Sequence, residues 1–320
     1  MARTTRRPAS LAIIIPCYNN AETLAEALQS AVDQDYPDFE IHVCDNGSTD
    51  GSQEIIESFA SPLVVAALHD TTVARTDNWN RAYAAGFGKD YLVTLHADDR
   101  LRPGALRAIA KAARSGPAMI HGGFRKITYD GQPRPGNRFP LNYSSTGARF
   151  RELLLLNNMV AMPGVTIRTD VFREAGGWDP AWQYLQDMEL WWRCSDLGQI
   201  IYIADILGDH RDYKEPRAMH RHAEEHLRWA TGKLATIASP RLRNAASDGL
   251  RTYLNWLADS ETDDQGTGSY ALALKSARLI VDAVGRPQVD AIRRQRMLRL
   301  LAALTPRLIS GKDRLVPLAH

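Results

Sequence analysis

Asp98 and Asp99 are adjacent carboxylates that follow the apolar run Tyr91 to Leu95 and share their loop with His96. Adjacent like charges repel, so a loop that keeps both suits a cation or a polar ligand that donates to them. One carboxylate, waters and a diphosphate make an octahedral Mg2+ or Mn2+ set; the plainer alternative is a solvated turn at a strand end. Asp45 opens a second polar cluster, Asp45-Asn-Gly-Ser-Thr-Asp50, after the apolar run Phe39 to Val43. Its carboxylate could accept from the imide N–H of a pyrimidine while backbone N–H groups meet ribose or phosphate. It could equally close its own Asx-type turn. Tyr18, two residues past Pro16, either lays an aromatic edge against a base or packs.

These residues need elements to hold them. Leu11 to Ile15 is continuously apolar, as a strand buried on both faces should be. After Pro16, Asn19-x-x-Glu22 reads as a capping box, and Leu24, Leu28, Ala31 and Val32 recur at helical spacing. Strands over 39–43, 63–67 and 91–95 alternate with helices after Asp50-x-x-Gln53 and over 73–85. Strand alternating with helix predicts a doubly wound sheet, whose ligands bind beyond the carboxyl ends of the strands. The clusters at Cys17 to Asn19, Asp45 to Asp50 and His96 to Asp99 all fall at such ends. Beyond them, Pro103 suits the first turn of a helix to about residue 114. Short strands are expected over 118–121, 125–129 and 165–168, and Asp187 opens a helix with Leu190, Trp191, Cys194 and Leu197 on one face. From about 216 onward the pattern is helical.

Bulk properties narrow the classes. The 320 residues, 44% hydrophobic and 24% charged, are ordinary for a globular protein of about two domains. A net charge of +2 is too balanced for a nucleic-acid partner. Three widely separated cysteines without a C-x-x-C pair point to a reducing compartment. The run after Arg3, Arg6 and Arg7 is too short for a signal peptide, and no segment reaches the roughly 18 apolar residues of a membrane span. A cytoplasmic location is expected.

Ile13-Ile-Ile-Pro-Cys-Tyr-Asn19, the Asp45 to Asp50 turn, Asn78-Trp-Asn-Arg81 and the run ending His96-Ala-Asp-Asp99 occur in that order. Together they resemble family 2 glycosyltransferases of the GT-A fold, with their I-I-P-x-Y-N strand end, D-D/N-G-S-x-D turn and D-x-D metal motif. Gly176-Gly-Trp-Asp179 and Gln186-Asp187-Met-Glu-Leu-Trp191 are similar to the family's G-G-F-D and E-D-x-E/D-L-W segments. The resemblance covers about residues 10–215. It implies a GT-A type, doubly wound, mostly parallel α/β sheet (Rossmann-like) with a C-terminal helical extension. The divisions expected are a disordered arm (1–9), a nucleotide-sugar-binding half (10–100), an acceptor-binding and catalytic half (101–215) and a helical region (216–320).

Residue by residue, the resemblance implies that Pro16, Tyr18, Asn19, Asp45, Asn78, Ala97 and Asp98 line the nucleotide. Asp98 would ligate Mn2+ or Mg2+, assisted by Asp99 and by His210, which matches the last residue of the family's Y-R-x-H segment. Asp187 matches the general base, and a helix start there favours its ionised form. Trp178, Trp182 and Gly177 fall to the acceptor, with Tyr184 and the segment 157–164 beside them. Three positions depart from the pattern. His96 replaces the first aspartate of D-x-D, placing an imidazole near sugar or ribose; Asn46 replaces the second aspartate of D-D-G-S; and only His210 remains of Y-R-x-H.

The implied activity is inverting transfer from a nucleoside-diphosphate sugar, a UDP-sugar first, to a hydroxyl of a saccharide, lipid-linked or other glycan acceptor. Two alternatives are a degenerate nucleotide-sugar-binding or scaffold protein and a sugar-nucleotide pyrophosphorylase. The second lacks support, because Pro16-Cys-Tyr-Asn-Asn20 is neither Gly-rich nor basic. Between Asp290 and Arg314 seven basic residues stand against two acidic ones, interleaved with leucines. Such an arm either lies on the inner face of an anionic membrane or packs on its own domain or a second subunit of a homodimer.

Overall fold

Leu11 to Ile15 can be buried on two faces at once only in the middle of a covered sheet, and that is where the computed structural model places them. It describes residues 7–136, 141–156, 158, 160–212, 225–226, 228–230 and 232–233. In chain order, β1 (Leu11–Cys17), α1 (Ala21–Val32), β2 (Phe39–Asp45), α2 (Ser52–Ser58), β3 (Val64–Ala67), α3 (Arg75–Ala85) and β4 (Tyr91–Thr94) alternate strictly. There follow β5 (Arg100–Leu101), α4 (Ala105–Ala113), β6 (Met119–Ile127), β7 (Pro133–Arg134), β8 (Tyr143–Ser145), α5 (Gly147–Leu156), β9 (Thr166–Arg168), α6 (Thr169–Glu174), α7 (Gln186–Cys194) and β10 (Ile200–Arg211).

The strands form one ten-stranded sheet in the order β3-β2-β1-β4-β9-β6-β10-β5, with β7 on β6 and β8 on β10. The first four are parallel. β9 runs antiparallel to both neighbours, so β6 and its parallel partner β10 again point the same way as β4. The carboxyl ends of β1, β2, β4, β6 and β10 therefore share one edge. Strands of both expected halves, 10–100 and 101–215, belong to this sheet.

Alternate residues of β1 face opposite cores. Leu11, Ile13 and Ile15 pack with Leu24 and Leu28 of α1 and Leu106 and Ile109 of α4. Ala12 and Ile14 pack with Ala82 and Tyr83 of α3 and with Phe172, Leu190 and Trp191.

Several expectations are corrected. The strands expected over 118–121 and 125–129 are one strand, β6, running through Gly122-Gly123. A Cβ on Gly122 would stand 2.6 Å from Leu207 Cγ, so the glycine marks close packing against β10 and not a break. β10 itself was unread, because register shifts between Ile203, Ile206 and Gly208 destroy its alternation. The helix expected from Pro103 starts at Ala105, since Gly104 at φ 81° is left-handed. The capping box at Asn19 does not form: the N-cap of α1 is Asn20, without a side-chain bond, and Asp50 takes the Ala21 N–H from the neighbouring loop at 2.9 Å. Residues 7–9, expected in a disordered arm, are held by Arg7 on Asp90 (2.8 Å) and by the Tyr36 hydroxyl donating to the Ala9 carbonyl. Most of the helical region after 216, including the basic arm over 290–314, lies outside the described residues.

Candidate active site

Three strand ends that are neighbours in the sheet put three loops side by side. The turn after β2 is built on Asp45, which is completely buried. Its Oδ2 accepts from Gly47 N (3.0 Å), Ser48 N (2.9 Å) and Gln53 Nε2 (2.7 Å), and its Oδ1 from Ser48 Oγ (2.5 Å). The carboxylate expected to read a base thus holds its own turn, which Gly47 permits with φ 74°. Ser48 Oγ also accepts from Asn19 N (2.8 Å), and Asn19 Oδ1 accepts from Thr49 N (2.9 Å), so the first two loops are bolted together. Asn19 adopts φ 50°, the one positive-φ residue other than glycine among those described.

Below them, buried Asn78 donates to Cys44 O (3.2 Å) and Cys17 O (3.5 Å) and accepts from the Cys44 thiol (3.3 Å). Expected at the nucleotide, it instead clamps the ends of β1 and β2 from α3. Pro16 is buried within β1, and Ala97 is buried with its carbonyl on Thr23 Oγ1 (3.0 Å). Tyr18 is 49% exposed at the rim.

The third loop carries the densest chemistry. His96, Asp98 and Asp99 each offer a ligand atom, all within 4.8 Å of one another. Burial and the neighbouring Asp99 push the Asp98 carboxyl above the usual carboxylate range, with His96 and His210 pulling the other way. His96 Nε2 is buried and has no hydrogen-bond partner among the described residues. An imidazole and two carboxylates whose ligand atoms lie this close are a donor set that could hold Mn2+ or Mg2+. The sequence placed His96 nearer sugar or ribose and His210 at the metal. In the structure His96 is the third member of the group, and His210 lies outside it, Nδ1 3.3 Å from Asp99 Oδ1.

Asp99 is fixed by Arg211, a residue in no motif. Arg211 N donates to Asp99 Oδ1 (2.9 Å), its Nε to Asp98 O (2.7 Å), and its Nη2 to Glu26 Oε2 (2.7 Å). The only sequence signal for it was its place at the end of β10, itself unread.

Asp187 is the second residue of α7 and half-buried. Its Oδ2 accepts from Asn158 Nδ2 (2.7 Å) and its Oδ1 from Met188 N (2.7 Å). Asn158 belongs to the segment expected at the acceptor. α3 touches both the third loop and the chain before α7. The Trp79 ring lies 5.0 Å from that of His96, Arg75 lies 5.6 Å over Trp79, and Arg75 also donates to Gln183 O. Trp79 was not singled out from the sequence, although its segment was.

Two of the expected acceptor residues are corrected. Trp178 is 1% exposed, packed edge-on against Trp79 and Tyr83 at 4.9 and 5.4 Å, so no sugar can lie on it. Gly177 is buried at φ 69°, and a Cβ there would stand 2.7 Å from Asn80 Oδ1, so the glycine serves packing. Trp182 is partly buried with the Arg228 guanidinium 4.1 Å over its ring.

Comparison with known proteins agrees with the fold. Glycosyltransferase AglE of Haloferax volcanii is 27% identical over 210 residues, covering 62% of this chain and 66% of that protein. An uncharacterised glycosyltransferase of Nostoc sp. is 25% identical over 222 residues, 66% of this chain and 64% of its own. The match thus spans just under two thirds of these relatives' length. Among solved structures, S. aureus TarS residues 1–349 superpose with a TM-score of 0.66 at 16% identity, over 86% of this chain and 83% of that one. The mannosyltransferase PcManGT of Pyrobaculum calidifontis, solved with GDP-Man and Mn2+, gives 0.59 at 17% identity over 94% and 82%. At those identities the likeness establishes the fold, an α/β sheet of GT-A type. The family model for "Glycosyl transferase family 2" matches residues 12–175, just over half of the chain and all three loops of the site, and the chain belongs to that family.

Proposed function

We propose that this protein transfers a sugar from a nucleoside-diphosphate sugar to an acceptor hydroxyl with inversion at the anomeric carbon. The observation that carries the reading is the His96, Asp98 and Asp99 group, with its unbonded imidazole nitrogen, at the carboxyl edge of the parallel strands. Relatives in the fold are solved with UDP-GlcNAc and with GDP-Man plus Mn2+, which supports a nucleotide-sugar donor and a divalent ion. A UDP-sugar is the donor proposed first.

In this reading Tyr18 and Asn19 flank the base, and Asp45 acts through the turn it holds. Asp98, Asp99 and His96 hold the ion. When bound, Mn2+ or Mg2+ supplies Lewis acidity to the diphosphate leaving group. Arg211 keeps Asp99 turned toward its neighbours. An alcohol is a poor nucleophile until its proton is taken as attack proceeds, and Asp187, steadied by Asn158, is the base proposed for that proton. The three cysteines are free and buried, which supports a reducing compartment and so a cytoplasmic reaction. Among the described residues, no helix is long and apolar enough to cross a membrane.

Thermal-shift titration with UDP and GDP, in Mn2+ and in EDTA, tests this. Binding to the native state alone adds about 2.7 kcal/mol at 100-fold excess over Kd. The expected result is stabilisation that needs the ion and disappears in Asp98→Ala. Equal shifts in EDTA and Mn2+ would remove the metal role. Nucleotide binding without turnover of any donor would leave a binding protein.

A further inference from the structure

α7, which carries Asp187, begins without a cap of its own. Leu185 stands at the N-cap position with no side-chain hydrogen bond, and its own side chain is buried. Backbone N–H groups at a helix start need partners from outside the helix. Within α7 the Met188 N–H goes to Asp187 Oδ1, and the backbone leading into the helix is held from some forty residues away. Glu225 Oε1 accepts from Gln183 N (2.7 Å), and Oε2 accepts from Tyr184 N (2.6 Å) and Leu185 N (3.0 Å). Three bonds to one carboxylate at the positive end of a helix are charge-assisted and favoured by the dipole.

Glu225 is not alone. The described residues from 225 to 233 are helical, and positions 225, 229 and 233 recur every four residues on one face. All three reach α7 or its entry. Trp229 Nε1 donates to Glu189 Oε2 (2.7 Å), and Lys233 Nζ pairs with the same carboxylate at 2.7 Å. Arg228 donates to Ala181 O and covers Trp182. Arg75 of α3 also holds Gln183 O. The backbone over 181–185 is therefore held both by α3 and by the 225–233 segment, which lies beyond the residues the family model matches.

We propose that Glu225 is a positioning residue for Asp187, fixing where α7 begins and tying the base to the docked face of the 225–233 segment. The proposal rests on the reading of Asp187 as the general base. A Ser, Thr or Asp at 185 would cap the helix locally and make it independent of distant chain. Leu185 cannot, so the chain entering α7 leans on Glu225 as well as on Arg75.

The test compares Glu225→Ala, Glu225→Gln and Asp187→Asn, alone and combined. Nucleoside diphosphate release is followed with UDP-GlcNAc and GDP-mannose, UDP affinity is measured with Mn2+, and amide exchange is followed over 183–188. In Glu225→Ala the exchange should speed at least about tenfold and kcat should fall about 10- to 100-fold, with UDP affinity within twofold. Glu225→Gln, nearly isosteric and still an acceptor at one oxygen, should fall between. Because the residue acts through the base, Glu225→Ala should cost nothing further on the Asp187→Asn background. Full-rate Glu225→Ala beside a slow Asp187→Asn would overturn the positioning role alone, as would equal losses in both backgrounds. A full-rate Asp187→Asn would overturn the base reading, and the role of Glu225 with it.

Discussion

An amide in place of a carboxylate at position 46 gives the second loop a donor as well as an acceptor, and the backbone of Val73 uses both. Asn46 Nδ2 donates to Val73 O and Asn46 Oδ1 accepts from Val73 N, each at 3.0 Å. An ionised aspartate could make only the second bond, so the amide is a local fit to the chain before α3. The same logic describes how the carboxylates are held. Asp45 accepts from Gly47 and Ser48 of its turn and from Gln53, whereas Asp187 accepts from Asn158 and Met188 on a half-buried helix start. Asp187→Asn should keep the fold and leave UDP affinity unchanged while lowering kcat about 10²–10⁴-fold. The amide still accepts but cannot take a proton, so the loss belongs in kcat. Transfer within a few-fold of the unmodified protein would reassign the base.

At the scale of elements, β6 and β10 form the long parallel pair of the second half of the sheet, and neither is legible whole from the sequence. They meet around His121, which is buried against Tyr143, Phe150 and Tyr202. Burial alone pushes its imidazole down to about 3 from an ordinary 6.5. The unfolded chain therefore binds a proton between those values that the folded chain refuses. Stability from this group is complete above pH 6.5 and is lost as pH falls toward 3, at roughly 1.4 kcal/mol per pH unit. His121→Phe should accordingly flatten the acid limb: urea midpoints at pH 7 and pH 4.5 should lie closer together than in the unmodified protein. Parallel acid sensitivity in the two proteins would refute the assignment.

Across the whole molecule, the site draws on chain far apart in sequence: the third loop from residues 96–99, Arg211 from the end of β10, and the grip on α7 from residues 225–233. Trp229 anchors that last contact. It is 1% exposed, faces Trp192 with ring centroids 5.6 Å apart and bonds Glu189. Trp229→Ala should lower unfolding free energy by about 3–5 kcal/mol through the cavity it leaves. A loss under about 1 kcal/mol by denaturant titration would show the segment to be peripheral to the fold.

The sequence by itself determined the parallel half and its loops, because those signals are local. A run such as Leu11 to Ile15 announces a doubly covered strand, and polar clusters at strand ends announce a ligand edge whatever the rest of the chain does. It also placed Asp98, Asp99 and Asp187 in the polar segments where they stand. What it left open was which polar side chains face one another. Whether Asn78 bonds the backbone of β1 and β2, whether His210 comes up against Asp99, and whether Trp178 is surface or core all depend on contacts between residues tens of positions apart. Only the tertiary structure decided those. Burial and hydrogen-bond satisfaction are properties of what lies opposite a residue, and bulged strands such as β10 erase the periodicity that would have shown it.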